Sequence, residues 1–184
     1  QSGLKKLPLA SVLEADYVFD EETSSGIRNS YLTLMSILLS QDGDSGRPEK
    51  AKQTAEQILQ RLKEMPPSLQ SERTEELMVE AYVTLGRRDQ AWTLVNKMLD
   101  DKKDIFGYSV TAALAMLDPD QAAARILATR ELHPSWNGMD YMAIYCIGWR
   151  DVVVHPDFQA YYVKEDKWID YLAERLPEYE QYRK

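Results

Sequence analysis

Cysteine and histidine are almost missing from these 184 residues: there is one Cys, Cys146, and two His, His133 and His155. A lone thiol excludes an internal disulfide and fits both a reducing cytosol and a disulfide-poor periplasm, so the compartment stays open between cytoplasmic and periplasmic. With no HExxH or CxxC spacing, little is left from which to build a metal centre. Positive charge is also in deficit: 22 Lys+Arg stand against 30 Asp+Glu, for a net charge of -8. Such a surface repels phosphate backbones, so nucleic acid is not an expected partner. No apolar run approaches the roughly 18 residues of a transmembrane helix, and the opening residues lack the apolar stretch of a signal peptide. Membrane insertion of this segment is therefore not expected. The chain opens Gln1-Ser2-Gly3 rather than with Met, which reads as a product of cleavage or of a cut boundary.

What is plentiful is helix-forming side chains. Hydrophobic residues make up 44% and charged residues 28%, enough for one domain with a core. The eight Gly and eight Pro fall mostly between apolar stretches, and Leu, Ala, Met, Gln, Glu, Lys and Arg dominate the intervals. Ile27, Tyr31, Leu34, Met35 and Leu38 mark a helix over 25–40, broken by the polar stretch Gln41–Gly46. Pro48 and Glu49 suit the first turn of the next, whose stripe is Ala51, Ala55, Ile58, Leu59 and Leu62 and which Pro66-Pro67 stops. Leu77, Met78, Ala81, Tyr82 and Leu85 form a third stripe that Gly86 closes as a left-handed cap. Asp89 is placed to cap a fourth, carrying Ala91, Trp92, Leu94, Val95, Met98 and Leu99. Helices over 106–117 and 120–132 follow, separated by Asp118-Pro119, then one over 136–149 and a last one marked by Trp168, Tyr171, Leu172 and Leu176. The opening residues 7–19 read as a further helix. Val152-Val153-Val154 is too short and isolated to build a sheet.

An all-α chain of this kind is either a closed bundle or a stack of helical hairpins, and internal repetition separates the two. Aligning the second helix of successive hairpins sets Ala55, Leu59, Leu62 and Pro67 against Ala122, Ile126, Thr129 and Pro134. Ala91, Val95 and Met98 lie between them, with Lys103 in place of the proline. The three alanines are 36 and 31 residues apart, around a period of about 34. The clearest unit runs from Ala81 to Ala91, with Tyr82 and Gly86 four apart and Ala91 five beyond the Gly.

That unit resembles the tetratricopeptide repeat (TPR), whose motif places a Tyr and then a Gly in and after the first helix, an Ala early in the second and a Pro after it. The resemblance covers 72–103 best, then 104–135 and 25–68. Departures are Glu75 at the family's early Trp, Val79 at a small-residue position and a shortened Asp-Pro-Asp turn after Leu117. The resemblance implies an α-α superhelix, a TPR-like solenoid. It would be a single domain over 1–184, with an N-terminal helix in 1–24, repeat hairpins in 25–149 and a C-terminal capping segment in 150–184. A second resemblance lies in the tail: Pro156, Phe158, Gln159 and Ala160 are similar to an ending found in large bacterial proteins whose TPR region follows a regulatory or DNA-binding domain. Asp157 and Tyr161 depart from it.

Residues with catalytic chemistry do not assemble into a motif. Both histidines precede a proline and read as helix ends. Cys146 sits on an apolar stripe with no His in its helix to activate it, and reads as a small buried hydrophobe. Asp42-Gly43-Asp44-Ser45-Gly46 starts like a calcium loop, but the Gly comes one position early and Gln53 stands where the bidentate Glu belongs, so an ordinary solvated loop is expected. No catalytic residue, cofactor or metal ligand is assigned.

The expected function is non-catalytic capture of a protein or peptide in the concave groove that the resemblance implies. The first helix of each hairpin lines such a groove, which selects Arg73, Glu76, Leu77, Glu80, Val83 and Thr84 in the clearest repeat. The assigned partner-binding residues are Arg73, Glu76 and Glu80, with Tyr108, Tyr141 and Tyr145 from the following hairpins. Glu76 and Glu80, with the net charge of -8, favour a basic segment. The tyrosines supply apolar anchors. The alternative is a regulatory or sensor region of a larger bacterial protein, acting on its own chain or as a homodimer.

Overall fold

The computed structural model describes residues 25–44, 46–101, 108–132, 151–152, 155–158 and 160. Among them there is no strand. Six α-helices of eight or more residues follow one another among the described residues: α1 (Ser25–Asp44), α2 (Pro48–Glu64), α3 (Glu72–Thr84), α4 (Arg88–Asp101), α5 (Tyr108–Ala115) and α6 (Pro119–Leu132). A 3-10 turn, Pro67–Leu69, joins α2 to α3. The all-α expectation is met. The chain divides into two compact units, Gln1–Met98 and Leu99–Lys184.

In the first unit, α1, α2 and α3 pack pairwise, each against both others. Their apolar faces meet in one core. Tyr31, Leu32, Met35 and Leu39 come from α1, Ala55, Ile58, Leu59 and Leu62 from α2, and Leu77 and Ala81 from α3. Met65 and Leu69 seal the core from the connecting turn. Each fully buried aliphatic side chain contributes about 1.5–3 kcal/mol of transfer free energy. Because α1 faces two neighbours, its buried face is wide, spanning Tyr31, Leu32, Met35, Ser36, Leu38, Leu39 and Asp42.

Local chemistry sets the helix ends. Pro48 occupies the first turn of α2 with Glu49 beside it, and Arg61 and Lys63 fall in its last turn, both arrangements that complement the helix dipole. At the start of α3 the Ser71 N–H donates to Thr74 Oγ1 at 3.2 Å, the backbone half of a capping box. Its far end is a complete Schellman turn. Gly86 has φ +71°, its N–H donates to the Val83 carbonyl at 2.9 Å, and the Arg87 N–H donates to the Tyr82 carbonyl at 2.8 Å. The chain then reverses into α4, and Lys97 Nζ reaches back to Glu75 Oε1 at 2.8 Å.

Four sequence expectations are revised. Ile27 and Leu34, read as part of the apolar stripe of α1, are exposed. α1 does not stop at Ser40 but runs on to Asp44, because Asp42 turns inward and is held there. Asp89 lies inside the first turn of α4 rather than capping it. Leu99 and Tyr82 are half-buried rather than buried. The buried line of α4 is Ala91, Val95 and Met98, and Leu99 sits on its flank.

In the second unit α5 packs on α6. Seven consecutive residues, Ser109 through Ala115, are buried. They are small enough for close approach: Ser, Val, Thr, three Ala and one Leu. Asp118 caps α6, its Oδ1 accepting the Gln121 N–H at 2.9 Å. The expected helix start near Asp118-Pro119 is therefore present. Arg125 Nε donates to Thr111 Oγ1 at 3.2 Å across the pair. Farther along, Val152 and Phe158 are buried, and His155 Nε2 lies 3.4 Å from Asp120 Oδ1. The helices read from 7–19, 136–149 and 168–176 fall outside the described residues, as do His133 and Cys146.

Candidate functional site

The most unusual chemistry among the described residues lies where α1 crosses α3. Glu76 and Glu80, one turn apart on α3, occupy the same side of the helix as Leu77 and Ala81 and are carried into the interior with them. Both are 2% exposed, and Arg73 is 8% exposed. Arg73 forms a buried ion pair with Glu76 through one guanidinium nitrogen. Glu80 is met from α1 by Ser36, whose Oγ donates to Glu80 Oε2 at 2.7 Å. The other oxygen, Glu80 Oε1, is buried without a hydrogen-bond partner.

Loss of hydration dominates this carboxyl and pushes Glu80 up to about 8. The Ser36 bond and the Arg73 charge pull the other way, the Glu76 charge adds to the rise, and a bond from Ser40 opposes it.

A third buried carboxylate closes the α1–α2 junction and behaves oppositely to Glu80. Asp42 is 1% exposed. Lys50 Nζ donates to its Oδ1 at 2.7 Å and Thr54 Oγ1 to its Oδ2 at 2.8 Å, with Arg47 at 3.7 Å. Burial works against its charge, but the bonds from Lys50 and Thr54 and the charges of Lys50 and Arg47 outweigh it and hold the carboxyl below the usual aspartate range. So the Asp42 end of the 42–46 segment is a clasp between helices, not a solvated loop. Gly46, at φ +66°, makes the turn that follows it.

The assigned partner-binding residues do not form one exposed patch. Arg73, Glu76 and Glu80 are brought together, but inside the first unit rather than on an open wall. Of the others named for the groove, Leu77 is buried, and Val83 and Thr84 are half-buried. Tyr108 opens α5 in the second unit. Tyr141 and Tyr145 lie outside the described residues. Sequence reasoning missed Ser36 and Asp42. Their signal was present, since Ser36 follows Leu32 by four and precedes Leu39 by three, a polar residue inside an apolar stripe.

Among the described residues no three His, Cys, Asp or Glu side chains gather to hold a metal ion. Nor is any described helix long and apolar enough to cross a membrane.

The repeat positions are alike in burial. Ala55, Leu59 and Leu62 on α2, Ala91, Val95 and Met98 on α4, and Ala122, Ile126 and Thr129 on α6 are all at most 2% exposed. One difference of register exists. Ala91 and Ala122 lie one turn into their helices, where their N–H groups bond the Arg87 and Asp118 carbonyls. In α2 that place belongs to Ala51, bonded to Arg47, and Ala55 comes a turn later because α2 starts a turn earlier. No family model, curated protein or solved structure matches the chain.

Proposed function

We propose that this chain is a non-catalytic, TPR-like module that binds a protein or peptide segment. The observation that carries this reading is the recurrence of one buried triad on three second helices, at spacings of four and three residues each time. Recurrence of this kind is what stacked hairpins require, since each must bury its second helix in the same way. Supporting it, α3 lies against both helices of the hairpin before it, and α3 turns into α4 through the glycine that the repeat motif calls for. Stacks of hairpins act by shape, offering a long concave surface to an extended or helical segment.

Burial of Glu76 and Glu80 changes how a basic partner would be chosen. The preference then rests on the overall charge of -8 and not on those two side chains. Tyr108, Tyr141 and Tyr145 remain the proposed anchors.

The test is selection from a display library of random peptides with the full chain at low salt, followed by the Tyr141→Ala, Tyr145→Ala double variant. Enrichment of extended basic peptides that the double variant binds more weakly, at an unchanged melting temperature, is the expected result. Absence of enrichment over an unrelated helical protein overturns the reading. A collapsed melting temperature with unchanged peptide binding removes the tyrosines from it.

A further inference from the structure

The α1–α3 seam encloses two carboxylates, Glu76 and Glu80, and among the described residues one guanidinium, that of Arg73. Arg73 is paired with Glu76. The groups facing Glu80 can be named element by element. From α3 come Arg73 and Glu76, and from α1 the hydroxyls of Ser36 and Ser40. Of α1's other charged groups, Asp42 is taken up by Lys50 and Thr54, and Arg28 lies more than two turns before Ser36. The buried face of α2 carries Ala51, Thr54, Ala55, Ile58, Leu59 and Leu62, and no titratable side chain. If Glu80 were ionised, two buried carboxylates would share the charge of Arg73, which is already paired with Glu76, and Glu80 Oε1 has no hydrogen-bond partner. A buried, uncompensated carboxylate takes up a proton rather than bear that cost.

We propose that the α1–α3 seam is a proton-coupled joint, in which Glu80 holds a proton while the helices are closed and loss of that proton favours their opening. The sense of the coupling follows from linkage. In the folded unit this carboxyl sits near 8, against 4.5 when free. Between those values the closed state binds a proton that the open state does not. Stability from this group is therefore complete below about pH 4.5 and is lost as the pH rises through about 8.

The experiment uses the full chain with its glutamate carboxyls labelled with carbon-13. One glutamate carboxyl should stay protonated through neutral pH and titrate near 8. Ser36→Ala should move that titration upward, because it deletes a bond to the charged form. Glu80→Gln should abolish it. In parallel, the equilibrium constant for opening, read from amide exchange in α1 and α3 after correction for intrinsic rates, should rise by up to about tenfold per pH unit over the window, and the rise should flatten in Glu80→Gln. The proposal is overturned if every glutamate titrates in the ordinary range, if the high titration ignores Ser36→Ala, or if Glu80→Gln keeps the wild-type slope. Should Glu80→Gln fail to fold, the wild-type and Ser36→Ala titrations decide the matter between them.

Discussion

Leu59 on α2 and Leu99 on α4 are the same residue type, yet they sit in different surroundings. Leu59 lies inside the core of the first unit among Tyr31, Met35 and Leu77, whereas Leu99 flanks the buried line of α4. Leu59→Ala should cost about 2–5 kcal/mol, read as a lower urea midpoint with an unchanged slope. Leu99→Ala should cost clearly less, since the half-exposed site gives up less buried area and leaves no sealed cavity. Equal losses would mean that the two sites are packed alike. Charged positions were harder to read at this scale. Periodicity marks where apolar residues fall, and it marked Leu77 and Ala81 correctly. It does not say whether Glu76 and Glu80, just beside them, stop short of the neighbouring helix or are overlaid by it. That depends on the packing of α1 and, for Glu80, on Ser36, which lies 44 positions earlier.

For whole elements the sequence was most informative where a local rule fixes the backbone. Pro48 at the start of α2, Gly86 after α3 and Asp118-Pro119 before α6 all act through their own dihedral angles or a bond to a nearby N–H, so they needed no knowledge of neighbours. The end of α1 was misjudged because its continuation through Gly43 depends on Lys50 and Thr54 reaching Asp42 from the next helix. These two kinds of glycine predict opposite responses. At Gly86 an added Cβ meets no atom within 4 Å, so the only penalty is the left-handed backbone. Gly86→Ala should therefore cost about 1–2 kcal/mol. Gly43 also has open space, but lies inside α1 without a positive φ. Gly43→Ala should add up to about 1 kcal/mol. Thermal melts of the two variants, side by side, check the pair, and a shift of the same sign in both would contradict this account.

On the scale of the whole molecule, the chain reads as two separate bodies of packing, Gln1–Met98 and Leu99–Lys184. The core of the first is assembled from helices adjacent in sequence. A fragment of residues 1–101 should thus retain helical circular dichroism and a cooperative melt. A fragment that is a random coil in buffer would show that the first unit depends on the second. The same locality explains why the helical class was legible from sequence: helices that bury one face against a neighbour in sequence leave a periodic trace, whereas a seam such as Ser36–Glu80 leaves only two polar letters far apart. It also means that the units differ in how they tolerate drift. α2 keeps an outer face of Lys52, Gln53, Glu56, Gln57 and Gln60 on which substitutions can accumulate with little effect. From Ser109 to Ala115, α5 has no such side. Any enlargement there meets packed atoms and any loss leaves a void. Over generations of mutation α5 should therefore keep its small side chains nearly unchanged, while the sequence of the α2 surface wanders.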